Sequence, residues 1–140
     1  MIRDAGLADK PHLLKLWKEG YAGTPFSDME YDDAYVETMF AGIVELDDLF
    51  FCKVVENEGE VVGILIGVID HNFWGVPVGP AIVSYSRQET DKLLRQFTTW
   101  AKEKGAKTVT ITTVSGKEKY KQLVEKLGFI NSGNIYSKEV

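Results

Sequence analysis

Residues 83 to 94, "VSYSRQETDKLL", close a strand and open a helix. α/β proteins commonly seat a phosphate at such a join, on helix N–H groups that have no partner of their own. No glycine stands between Ser84 and Lys104 to let a ligand approach the backbone. Ser86-Arg87-Gln88-Glu89 instead matches the S-x-x-E capping box, in which the two side chains satisfy each other's backbone donors. That arrangement would put a carboxylate where a phosphate would lie, with Arg87 beside it in compensation. A helix starting at Thr90, followed by Asp91 and Lys92, would leave "SRQE" as a loop able to wrap phosphates. The residues are compatible with either start.

Other groups offer narrower chemistry. His71, next to Asp70 after an apolar run, titrates near neutrality and could accept a proton from an ammonium; a solvated loop histidine reads the same way. Asp28, Glu30, Asp32 and Asp33 form an acidic stretch that would attract an amine or polyamine. The same acids suit the start of a helix, where the dipole favours negative charge. Phe26, Tyr31, Phe73 and Trp74 could wall a cleft, and "DHNFWGVPVG" reads as an exposed patch for a partner or a second copy. His12 falls on a helix surface. Cys52 lies in a hydrophobic strand and is expected to behave as a small buried side chain.

The elements that position these groups follow from periodicity. "MIRDA" is expected as a short strand. "DKPHLLKLWKEGY" is expected as a helix capped by Asp9 with Pro11 in its first turn, its apolar face Leu13, Leu14, Trp17 and Tyr21. A second helix fits "DDAYVETMFAGIV" through Val36, Met39, Phe40 and Ile43. "LFFCKVV" and "VVGILIGVI" read as strands joined by a hairpin at "ENEGE"; "HNFWGVPVG" breaks the pattern and "PAIVSY" resumes it. The next helix carries Leu93, Leu94, Phe97, Trp100 and Ala101 on one stripe and stops at Gly105. "KTVTITTV" is a strand with Val109 and Ile111 inward, "KEKYKQLVEKLGF" a helix closed by Gly128, and "NIYSKEV" a last strand. The order β-α-α-β-β-β-α-β-α-β predicts an α/β fold: one domain over residues 1–140, with a single mixed, mostly antiparallel sheet covered by helices on both faces.

The totals exclude several classes. Net charge is −5 over 140 residues, which gives no support to nucleic-acid or anionic-membrane binding. The longest apolar run, residues 61–69, is far short of the ~20 residues of a membrane span. The opening "MIRDAGLADK" has no apolar signal core, and one cysteine allows no internal disulfide, so a cytoplasmic protein is expected. No metal site is expected.

Three stretches resemble the GNAT superfamily of N-acetyltransferases over essentially the whole chain. "GEVVGILIGVI" is similar to that family's third strand, "LLRQFTTWAKEKGAKTVTITT" to its long central helix and fifth strand, and "YKQLVEKLGF" to its fourth helix. "WAKEKGAK" with a closing Y-x-K-E resembles small virus-encoded members in particular. The resemblance implies acetyl-CoA as co-substrate in a gap between two splayed parallel strands. Val83, Ser84 and Tyr85 would pair with the pantetheine arm, and Ser86, Arg87, Gln88, Glu89 and Thr90 would hold the pyrophosphate.

The chain departs from the family pattern at the turn, where Gln88 and Thr90 replace the two small residues and Tyr85 the Arg or Gln. In the fourth helix Val124 stands where members carry a catalytic tyrosine, and Lys117 replaces an opening asparagine. Tyr120, one turn earlier, is the candidate acid, and His71 the candidate base. Lys102, Lys104, Lys107, Lys117, Lys119 and Lys121 could hold the adenosine 3′-phosphate or simply be solvated. Two functions remain open: an acyl-CoA-dependent N-acetyltransferase acting on a small-molecule or protein amine, and a catalytically inactive binding or structural module of the same fold. A homodimer is compatible with both.

Overall fold

Branched and aromatic residues concentrate between positions 50 and 86, and this block forms the centre of the sheet. The computed structural model describes residues 1–22, 29–112, 118–133, 136, 138 and 140. In chain order the elements are β1 (Ile2–Asp4), α1 (Lys10–Ala22), α2 (Asp33–Glu45), β2 (Phe50–Asn57), β3 (Glu60–Val68), β4 (Asp70–His71), β5 (Pro77–Ser86), α3 (Thr90–Glu103), β6 (Thr108–Thr110) and α4 (Glu118–Lys126). The expected last strand falls largely outside the described residues, as do Phe26, Asp28 and Lys117.

The sheet runs β1-β2-β3-β5, antiparallel throughout, with β6 added to β5 in parallel. β2 and β3 are joined at Glu58–Gly59, both left-handed (φ 51° and 79°), as a two-residue turn of the primed type requires. The break expected at "HNFWGVPVG" is a second hairpin instead. β4 continues β3 after Ile69, and β5 begins already at Pro77. Asn72 makes this possible: its Oδ1 accepts the N–H groups of Trp74 and Val76 (both 3.0 Å), and its backbone closes the turn to Val76 and Gly75.

One irregularity divides this long hairpin. Gly67↔Ala81, Asp70↔Val78 and His71↔Pro77 share a register, whereas Ile66 pairs with Val83. Ile82 is therefore the extra residue of a β-bulge, a device that bends a strand and sharpens its twist.

Helices cover both faces. Leu13 and Leu16 of α1 with Phe40 and Ile43 of α2 pack on Val54, Val61, Ile64 and Ile66. Leu16, not Leu14, completes the buried stripe of α1. On the opposite face Leu93, Leu94, Phe97 and Ala101 of α3 and Val124 of α4 pack on Phe51, Val55, Val62 and Leu65. Val109 and Ile111 join that core, as the alternation of their strand predicts. α3 lies so close to β3 that a Cβ on Gly67 would overlap the Phe97 ring.

Asp9 does not cap α1. It ends a short 3-10 turn (Leu7–Asp9), and its buried carboxylate accepts from the Gly6 N–H (2.8 Å) and from both terminal nitrogens of Arg3 (2.8 Å each). Arg3 Nε donates to Glu56 (2.9 Å), so β1, β2 and the entry to α1 meet at one guanidinium.

Candidate functional site

Among the described residues β5 and β6 pair at Val78↔Thr108, Gly79↔Val109 and Pro80↔Thr110. The bulge at Ile82 follows at once, and from there to Ser86 β5 has no strand on that side among the described residues. Among the described residues the ladder between the two parallel strands thus ends before the bulge, and the edge of β5 beyond it, from Ile82 to Ser86, borders the candidate site, here called the wedge.

Alternation decides which backbone groups face the wedge. The Arg87 N–H donates to Val62 O (3.0 Å). Ser86 and Gly63 are thus a non-hydrogen-bonded pair, and so, two residues back, are Ser84 and Leu65. Ser84 turns its N–H and C=O toward the wedge, while Val83 and Tyr85 spend theirs on β3. Of the three residues expected to pair with a pantetheine arm, only Ser84 is oriented to do so. Tyr85 packs on the α1 face, its ring against Gly20 and its hydroxyl 3.5 Å from Glu19.

The side chain of Ser84 faces α4, where Tyr120 Oη lies 3.2 Å from Ser84 Oγ. Burial of the phenol raises the Tyr120 pKa above its ordinary value, and the Ser84 hydrogen bond opposes this in part. Tyr120 thus stays protonated at neutral pH with its hydroxyl at the wedge. Val124, the position expected to carry a tyrosine, is buried in the core.

The capping box does not form. The residue preceding α3 is Glu89, left-handed at φ 53° with no side-chain cap. Ser86 Oγ instead donates to Gln88 O and accepts the Gln88 N–H (3.3 Å), folding residues 86–88 into a local turn. The Glu89 carboxylate is drawn to Lys92 Nζ (2.9 Å) and the Met1 amino group (3.1 Å), and Lys92 and that amine hold its pKa low. Leu93 N–H is the first to be satisfied within the helix, by Glu89 O (3.0 Å). The N–H groups of Thr90, Asp91 and Lys92 precede it and have no intrahelical acceptor. Arg87 reaches Glu60 (3.1 Å) in an exposed pair of the kind that contributes little and exchanges readily. Gly63 permits the whole turn, since a Cβ there would overlap Ser86 Oγ.

The other sequence candidates disperse. His71 is opposite Pro77, seven residues of β5 from Ser84, or about 23 Å at strand rise, and it is exposed. It cannot share a reacting bond with Tyr120. Lys102 lies twelve residues along α3 from Thr90, about 18 Å, and Lys104 and Lys107 follow it, so these three are remote from the turn. Lys119 and Lys121 flank Tyr120 on α4. Asp32 caps α2 by accepting the Tyr35 N–H (2.9 Å), and Asp33 pairs with Lys18 (2.9 Å), which leaves exposed Glu30 as the uncommitted acid of the described part of that stretch. Burial pushes the Cys52 thiol up to about 12, so it is no nucleophile at neutral pH. No group of His, Cys, Asp and Glu among the described residues could hold a metal ion, and no described helix is long and apolar enough to cross a membrane.

Periodicity did not reveal the bulge at Ile82 or its coincidence with the end of the β6 ladder.

No family model matches the sequence, and no curated protein matches it. Solved structures do. The chain superimposes on a putative acetyltransferase from Agrobacterium tumefaciens str. C58 with a TM-score of 0.76 and 18% identity, covering 100% of this chain and 99% of that one. Glucosamine-6-phosphate N-acetyltransferase from Arabidopsis thaliana gives a TM-score of 0.75 and 20% identity over 99% and 97% of the two chains. AAC(6')-Iy in complex with the bisubstrate analogue CoA-S-monomethyl-acetylneamine gives 0.75 and 20% over 100% and 98%. The chain has the GNAT acetyltransferase fold from end to end.

Proposed function

We propose that the chain is an acetyl-CoA-dependent N-acetyltransferase whose diphosphate turn works without glycines. The observation that carries this reading is the wedge itself: a Ser84 peptide edge without a strand partner among the described residues, a partly buried phenol 3.2 Å from the same residue, and an α3 terminus without a side-chain cap a few residues on. A peptide-like pantetheine arm matches the first, and a diphosphate matches the last, where three backbone N–H groups and the helix dipole meet the ligand, with Lys92 of the first helical turn beside them. The αL conformation of Glu89 supplies the backbone geometry that a glycine would otherwise adopt, at a cost of about 1 kcal/mol.

Acetyl-CoA supplies an activated thioester. Ser84 orients it along β5, so that the carbonyl lies near the bulge at Ile82. The acceptor nitrogen forms the new C–N bond as the C–S bond breaks. The Tyr120 hydroxyl gives its proton to the departing sulfur, and the proton lost from nitrogen passes to solvent. No described residue stands as a strong base near Ser84, so alignment of amine and thioester provides the larger part of the acceleration. The acceptor is an amine, of a small molecule or a protein.

Thiol release from acetyl-CoA over a panel of primary amines and peptide N-termini tests the assignment. Tyr120→Phe is expected to lower kcat about 100-fold while acetyl-CoA affinity changes less than threefold. Wild-type rates from the variant would remove Tyr120 from the mechanism.

A further inference from the structure

Arg87 belongs to two surfaces at once. Its neighbours in sequence form the turn ahead of α3, but its guanidinium reaches Glu60 at the start of β3 (3.1 Å). There the two side chains wall a cavity of about 200 Å³ whose floor is the buried pair Leu16 and Val61. The remaining walls come from one face of α1: His12, Lys15 and Glu19, at i, i+3 and i+7. Leu16 and Val61 belong to the core beneath α1 and α2, whereas α3 packs on the opposite face of the sheet. The cavity and the α3 terminus therefore lie on different faces, joined through the chain at residue 87.

Four formal charges line this cavity, two of each sign: Lys15 and Arg87, Glu19 and Glu60. Among the described residues the Arg87 and Glu60 side chains hold only each other. Lys15 and Glu19 are one helical turn apart, a spacing that usually pairs, yet they form no ion pair. Glu19 accepts only a long bond from the Tyr85 hydroxyl (3.5 Å), and the Lys15 ammonium has no partner among the described residues. A simple anion would meet two carboxylates here, and a simple cation two bases. A molecule carrying one carboxylate and one ammonium meets a complementary pair for each. The volume is below the ~300–1,000 Å³ of sites for drug-sized ligands. With an aliphatic floor, it suits a single small metabolite with a short branched side chain.

We infer that this cavity binds a free aliphatic α-amino acid, with its carboxylate on Arg87 and Lys15 and its ammonium on Glu19 and Glu60. Arginine favours the planar carboxylate geometry of the first contact. The exposed Arg87–Glu60 pair loses little when the ligand parts it, since each member regains an opposite charge. The Arg87 N–H is fixed to Val62 O (3.0 Å), and Ser86 Oγ holds Gln88. An occupant that holds the guanidinium thus steadies residues 86–88 from the far face of the sheet. It is thereby an effector that favours acetyl-CoA binding, and linkage makes the effect reciprocal. This consequence alone rests on the diphosphate turn proposed above.

Calorimetric titration of the chain alone, without acetyl-CoA, tests the site. L-Valine is expected to bind with a dissociation constant below about 1 mM. Isovalerate, which lacks the ammonium, and isobutylamine, which lacks the carboxylate, should each bind at least about tenfold more weakly. Lys15→Gln and Glu19→Gln should each weaken valine about fivefold or more with an unchanged melting temperature. Saturating valine should tighten acetyl-CoA about threefold in the wild type and leave it unchanged in the Lys15→Gln, Glu19→Gln double variant. No heat from L-valine at about 10 mM, or isovalerate binding as tightly as valine, overturns the proposal. Valine binding that both variants leave intact would lie elsewhere and overturns it equally. Valine binding with unaltered acetyl-CoA affinity overturns the effector role and upholds the site. A chain that takes valine but no acetyl-CoA counts against the enzyme assignment and upholds the cavity.

Discussion

Glu89 decides how the proposed diphosphate turn would work. Its left-handed backbone makes the bend that glycine usually provides, and its carboxylate points to Lys92 and the Met1 amine rather than back over the helix. The carboxylate would still oppose a bound diphosphate, and it occupies Lys92, a cation that would otherwise serve that ligand. Glu89→Gln is therefore expected to tighten acetyl-CoA binding three- to tenfold, read by titration calorimetry; equal or weaker affinity would place the diphosphate elsewhere. The capping box was a sound local reading of Ser86 and Glu89, because the motif is present letter for letter. It fails because α3 starts only at Thr90, so Glu89 and not Ser86 precedes the helix, and Ser86 Oγ is engaged with Gln88 instead. The same limit applies to Tyr120. Its spacing from Val124 placed it one turn away, and only the approach of α4 to β5 shows that its hydroxyl reaches Ser84.

At the scale of elements, Gly63 and the bulge at Ile82 set the shape of the site. Gly63 lets Ser86 sit directly over β3, which fixes where the turn leaves the sheet. Gly63→Ala is expected to cost about 2 kcal/mol through overpacking and to weaken acetyl-CoA binding at least tenfold, because Ser86 and the following turn must move. Melting temperature and calorimetric affinity measured together check this; a destabilised variant with unchanged affinity would separate the turn from the ligand. The helices and the β2–β3 hairpin were legible in the sequence, since 3.6-residue stripes such as Leu93–Leu94–Phe97–Ala101 reflect burial against one partner surface. The β4–β5 hairpin was not, because Gly75, Pro77 and the exposed aromatics read as loop while Asn72 supplies the bonds that make the turn. Where the β5–β6 ladder ends was not legible, since no residue pattern marks it, and the strand splay that the family resemblance implies would fall at residues 113–117, outside the described residues.

For the molecule as a whole, the Arg3–Asp9–Glu56 cluster ties the first strand to the sheet and to α1. The hydrogen bonds from Arg3, with that from Gly6, hold the Asp9 carboxyl below its ordinary range against the effect of burial. The unfolded chain therefore binds this proton more tightly than the folded one. The contribution is complete above pH ~4 and is lost as pH falls through the lowered pKa of the folded state. Asp9→Asn should cost about 2 kcal/mol at pH 7, lower the melting temperature by roughly 6 °C, and flatten the acid limb of the stability profile. A variant that melts like the wild type would mean the cluster is dispensable.

The fold belongs to acetyltransferases of known structure, and the functional reading depends on whether the wedge and the bare α3 terminus take the co-substrate. Calorimetric titration of the chain with acetyl-CoA asks this without reference to any acceptor. One site with a dissociation constant in the micromolar range is expected. No heat and no thermal shift at millimolar acetyl-CoA would contradict the enzyme assignment and leave a binding or structural module of the same fold.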